Sequence, residues 1–155
     1  MKRITVFYFL GFLLFFISCD KNRIFEKYID FENSEWSYEN NASFEVSIKD
    51  TASKKLFINF RHTYFFKTRN VLLKMHVEDP KGKKETIHLN IPLSEPNGKW
   101  YADCSGDICS IQKEIEYAFT DTGKYLFWLE QDMRVNPLTN VLSVGLRVEK
   151  TNQPK

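Results

Sequence analysis

Histidine, cysteine and glycine are scarce in this chain, at three, three and six of 155 residues. The six glycines never cluster, so no loop can wrap a phosphate with successive backbone N–H groups. No serine sits in a nucleophile elbow and no His-Glu-x-x-His stretch exists to hold zinc. The chain is therefore expected not to be an enzyme, to need no cofactor and to carry no metal. An excess of one charge is missing as well. Lys and Arg number 22 against 20 acids, and without Lys2 and Arg3 the two counts are equal. Such a balance gives no reason to expect nucleic acid or an electrostatic membrane patch. Helical periodicity is absent after Ile29.

What is present begins at the N-terminus. Met1-Lys2-Arg3 forms a short positive head, followed by an apolar run from Ile4 to Ile17, then Ser18 and Cys19. This is the pattern of a secretory signal peptide. The run is shorter than the roughly 20 apolar residues a transmembrane helix needs. Phe16-Ile17-Ser18-Cys19 resembles a bacterial lipobox, which implies cleavage after residue 18 and lipidation of Cys19. One acyl chain binds a membrane only marginally, whereas the two or three of a bacterial lipoprotein hold it there. The expected division is 1–18 signal peptide, 19–40 lipid-anchored tether and lead-in segment, 41–150 β-sandwich domain and 151–155 disordered tail.

From Phe44 onward apolar and polar residues alternate in short runs. The inward rows are Phe44/Val46/Ile48, Leu56/Ile58/Phe60, Val71/Leu73/Met75/Val77, Ile87/Leu89/Ile91, Ile115/Tyr117/Phe119 and Leu142/Val144/Leu146/Val148. Tyr125 to Leu129 is apolar on both faces, and Trp100–Ala102 offers a short extra strand. Turn chemistry such as Asp79-Pro80-Lys81-Gly82 and Asp121-Thr122-Gly123 separates the runs. The fold class is all-β, an antiparallel, jelly-roll-like β-sandwich of about eight strands. A hairpin centred on Gly82 pairs Val77 with Ile87, Met75 with Leu89 and Leu73 with Ile91. That register sets His76 opposite His88 on the outer face, more simply a solvated pair than a metal site, since no third ligand is near.

Cys104 and Cys109 fall outside the cytoplasm on this reading. The compartment favours a disulfide between them, two free buried thiols being the alternative. The most unusual segment is 61–69, RHTYFFKTR, which mixes aromatics with cations. Arg61, Tyr64 and Phe65 suit a protein contact or a sugar platform; the plainer role is to cap the core beneath a loop.

Several stretches in order resemble one family. They include Leu56-Phe57-Ile58-Asn59-Phe60-Arg61, Pro96-Asn97-Gly98-Lys99-Trp100, Gly106-Asp107-Ile108 and Glu130-Gln131-Asp132-Met133-Arg134. Val144-Gly145-Leu146-Arg147-Val148-Glu149-Lys150 closes the set. Behind a lipobox, this set is similar to the gliding-motility lipoproteins of Bacteroidetes called GldH. The resemblance implies a lipid-anchored protein of the cell envelope, facing the periplasm. It also implies a non-enzymatic assembly or support role in gliding motility and type IX secretion, with protein partners from that machinery. A surface including Asp107, Gln131 and Arg134, beside Arg61, Tyr64 and Phe65, is the candidate contact. The alternative is a glycan- or peptidoglycan-binding sandwich. Asp50-Thr51-Ala52, in a predicted turn, resembles the acceptor for O-glycosylation in Bacteroidetes, with Thr51 as the modified residue.

Overall fold

In the computed structural model, which describes residues 21–151, eleven strands pair antiparallel. They are β1 (Arg23–Asp30), β2 (Glu35–Trp36), β3 (Ala42–Ile48), β4 (Lys54–Thr63), β5 (Asn70–Glu78) and β6 (Lys84–Pro92). After them come β7 (Asp103–Ser105), β8 (Ile108–Ile115), β9 (Gly123–Gln131), β10 (Leu138–Thr139) and β11 (Val141–Lys150). One sheet has the order β1-β11-β4-β8-β7 and the other β3-β9-β5-β6, with β10-β2 as a small separate pair. Apart from the short β2, β7 and β10, the strands divide between the sheets as in a jelly roll. These three pieces raise the count from the expected eight or so to eleven. No helix among the described residues is long and apolar enough to cross a membrane.

The alternation seen in the sequence sets which face is buried. Along β3 every second residue, Ala42, Phe44, Val46 and Ile48, is buried. Leu56, Ile58 and Phe60 on β4 and Val144, Leu146 and Val148 on β11 meet them from the opposite sheet. Each such side chain contributes about 1.5–3 kcal/mol by leaving water. Trp36 is fully buried, stacks on Phe31 at 4.8 Å and donates its indole N–H to Asn40 O at 2.7 Å.

The structure moves four expected boundaries. The lead-in segment at 19–40 contains β1, a full strand along the edge of β11, so the sandwich starts at Arg23. Its interspersed charges hid it, because an edge strand buries little on either face. The strand expected across Ile111–Phe119 begins at Ile108 and ends at Ile115. Tyr117 and Phe119 lie beyond it, where the chain crosses between sheets, and both still pack on Tyr125 and Phe127. The extra strand near Trp100 is a single bridge from Ser94 to Trp100, with β7 following at Asp103. Within the expected tail, Thr151 is held by Ser53, its N–H donating to Ser53 O at 3.1 Å.

The β5–β6 hairpin corrects the predicted register by two residues. Met75 pairs with Ile87, Leu73 with Leu89 and Val71 with Ile91. A shift of two keeps every apolar side chain on the inner face, so hydrophobic pattern cannot detect it. The turn decides it. Asp79 Oδ1 accepts the N–H groups of Lys81 (2.8 Å) and Lys83 (2.9 Å), and Asp79 N–H donates to Lys83 O (3.0 Å). These bonds centre the loop on Lys81, one residue before Gly82.

The pairings define two ends of the sandwich. The near end holds the start of β1, the loops at 49–53, 79–83 and 116–122, and the end of β11. The far end holds the connections at 31–41, 64–69, 93–102, 106–107 and 132–137.

Candidate functional site

At the far end, β4 delivers its last residues into the aromatic segment. Thr63 N–H donates to Asn140 O at 2.9 Å, and Phe66 N–H donates to Thr63 O at 3.0 Å. These bonds turn the chain so that Phe66 is buried while Tyr64 and Phe65 are 54% and 67% exposed. Phe66 packs on Phe60 and His62, and His62 packs on Trp100 at 4.7 Å between ring centres. The buried half of this segment thus caps the core, and the exposed half faces outward.

The β7–β8 hairpin stands beside it. Gly106 and Asp107 form its two-residue turn, with Gly106 at φ +59°, a conformation that suits glycine in the first position of a tight hairpin. Cys104 and Cys109 face each other across the ladder and are joined, with Sγ–Sγ 2.04 Å. Asp107 O accepts the N–H of Tyr64 at 2.7 Å, so hairpin and aromatic segment are locked together.

Tyr64, Phe65 and Asp107 are therefore neighbours. The other expected contact residues are distributed differently. Arg61 lies on the outer face of the five-stranded sheet, away from Tyr64. Gln131 is only 3% exposed and so is not available to a partner. Its amide N–H donates to Val135 O at 3.1 Å and its Oε1 accepts Met133 N–H at 2.9 Å. Gln131 therefore shapes the loop that carries exposed Arg134. Tyr38 supports the same loop through its hydroxyl to Met133 O (2.6 Å) and its N–H to Asn136 Oδ1 (2.9 Å).

Sequence reasoning missed four exposed apolar residues at this end, namely Tyr38, Tyr101, Ile108 and Val135. Tyr38 and Val135 have polar neighbours in the chain, Tyr101 follows Trp100 and Ile108 precedes Cys109, and no local pattern links the four, so only topology gathers them. The expected pairing of His76 with His88 does not occur. His76 faces Thr86, with Nδ1 2.8 Å from its Oγ1, and stacks on Trp128. His88 faces Lys74. Among the described residues no group of three or more His, Cys, Asp or Glu could hold a metal ion. Thr51 is exposed in the near-end loop, where Asp50 Oδ1 accepts Ala52 N–H at 3.1 Å. Cys19 and the signal segment 1–18 lie outside the described residues.

Comparison with known proteins adds three findings. A family model described as GldH lipoprotein matches residues 23–148. A relative named "Gliding motility lipoprotein GldH homolog", from Christiangramia forsetii, is 30% identical over 96% of this chain and 96% of its own length. Among solved structures, a family 35 carbohydrate binding module from Clostridium thermocellum aligns with 77% of this chain and 97% of its own. Its identity is 10% and its TM-score 0.32, too low to bear on this protein.

Proposed function

The chain belongs to the GldH lipoprotein family, a gliding-motility-associated group of membrane-anchored envelope proteins, and from that premise we propose a non-enzymatic assembly role. The lipid is carried on Cys19, the domain faces the periplasm, and the far end of the sandwich binds protein partners of the gliding and type IX secretion machinery.

One observation carries this reading. Among the described residues, six of the nine large apolar side chains that are exposed, Tyr38, Tyr64, Phe65, Tyr101, Ile108 and Val135, belong to far-end loops or strand ends. The chain leaves toward Cys19 from the opposite end, at Arg23. The eight residues of β1 put about 25 Å between the two ends. A lipid on Cys19 holds the near end against the membrane and directs the exposed aromatics away from it. Exposed apolar side chains that the bilayer cannot cover are the surface on which a protein partner would gain most.

The test is a pull-down from solubilised native membranes with the full chain tagged at its C-terminus. The wild-type chain should enrich gliding or secretion components. Tyr64→Ser with Phe65→Ser should lose them while the melting temperature holds. Recovery of no such components, or equal recovery by the double variant, would overturn the far-end assignment.

A further inference from the structure

A second surface lies on the outer face of the five-stranded sheet. Two cross-strand rows meet there. One runs Asp103, Ser110, Arg61, Ser143, Asp30, and the next Gln112, Asn59, Gly145, Tyr28. Tyr28, Asn59, Arg61, Asp103, Ser110 and Gln112 line an open groove of about 400 Å³. Gly145 shapes it. A Cβ there would stand 2.7 Å from Tyr28 Cδ1, so the missing side chain lets the tyrosine ring lie across the sheet.

Two buried polar groups on this face lack a partner among the described residues. Asn59 is 4% exposed, its Oδ1 accepts Gln112 Nε2–H at 2.9 Å, and its Nδ2 has no partner among the described residues. Ser143 is fully buried and its Oγ likewise has none. Leaving a buried donor unpaired is destabilising, and a bound acceptor would relieve it. The contrast between two arginines is sharper. Arg147, on the neighbouring row, is held by Glu26 at 3.0 Å and also by Glu149. Arg61 has no carboxylate within ion-pair distance among the described residues.

We infer that this face binds an acidic saccharide, with Arg61 and Asn59 Nδ2 donating to its carboxylate and hydroxyls and Tyr28 packing on a sugar ring. An extended peptide suits the site less well. The central strands β4 and β11 are paired on both sides, so a ligand lying across them meets only side chains, whereas β-augmentation would use the edges at β1 and at β7 and β8 rather than this face. Tyr28 is 40% exposed and offers a flat ring; Ser110, Gln112 and Asp103 supply donors and acceptors along the groove. Arg61 is the one cation and Asp103 the one anion among the described residues lining the groove, so an acidic group is placed at the guanidinium and sugar hydroxyls toward Asp103. This surface is separate from the far-end aromatics, so its test can fail without touching the assembly reading.

The experiment is calorimetric titration of the purified full chain in detergent with a galacturonate tetramer, neutral maltotetraose and an acidic tetrapeptide. The galacturonate should bind about tenfold or more tightly than maltotetraose. Arg61→Gln and Tyr28→Ala should each weaken it about tenfold, whereas Tyr64→Ser leaves it unchanged. Gly145→Ala, whose Cβ would meet the Tyr28 ring at 2.7 Å and Lys27 O at 3.0 Å, should also weaken it. Circular dichroism establishes that each variant is folded. No binding of galacturonate, equal binding of the neutral sugar, tighter binding of the peptide, or indifference to Arg61→Gln would each overturn the inference.

Discussion

His62 shows how one residue can be placed by sequence and defined only by surroundings. It stood out within the 61–69 segment, yet it is fully buried among Phe60, Phe66 and Trp100. Its Nδ1 lies 2.8 Å from Thr63 O, a carbonyl that can only accept, so Nδ1 carries the proton and Nε2 is bare. Burial lowers its pKa below the ordinary value, and the bond to Thr63 opposes this only in part. As pH falls through the ordinary histidine range, the unfolded chain takes up a proton that the folded one refuses. Stability therefore falls with pH, by at most about 1.4 kcal/mol per unit from this group. The melting temperature should decline from about pH 7 to about pH 5, above the carboxylate range. His62→Gln should flatten that decline; an unchanged slope in the variant would clear His62 of the effect.

At the scale of elements, hydrophobic alternation located six of the eight long strands, because a period of two survives wherever one face is buried, and the continuous apolar run from Tyr125 to Leu129 located a seventh, β9. It failed for β1, whose edge position buries too little to leave a pattern. It also failed to fix the β5–β6 register, which the Asp79 turn determines through side-chain bonds to Lys81 and Lys83 N–H. The β7–β8 hairpin depends on something other than a core. At its tip Cys104, Ser105 and Ile108 are exposed, and of residues 103–110 only Cys109 is buried. The disulfide closes a loop of separation five, so its loss should cost about 2 kcal/mol on chain-entropy grounds. The loss should also be local. Cys104→Ser with Cys109→Ser is expected to speed amide exchange in 103–110 and at Tyr64, whose N–H bonds Asp107 O, while β9 and β11 stay protected. Unchanged exchange at Tyr64 would mean that the hairpin holds its shape without the bridge.

For the whole molecule, the two ends differ in chemistry. Lys49, Lys81, Lys83, Lys124 and Lys150 surround the near end, and exposed aromatics crowd the far one. Only four residues of chain lead from Cys19 to Arg23, a reach of about 14 Å. Anchored protein in native membranes should therefore show slower acylation of Lys49, Lys81 and Lys150 than the detergent-solubilised chain. Iodination of Tyr64 and Tyr101 should be equal in both. Equal lysine rates would detach the domain from the orientation argued above. The sequence by itself determined the all-β class, most inward rows and the family resemblance, since these rest on local order and on alternation that burial enforces. It also marked Tyr64, Phe65 and Arg61. Only the tertiary structure decided that Tyr64 and Phe65 share an end with Tyr38, Tyr101 and Val135 while Arg61 joins Asn59 and Tyr28 on a sheet face. Such groupings depend on which strands become neighbours and in what register. That is settled by turns and long-range pairing, which no local pattern records.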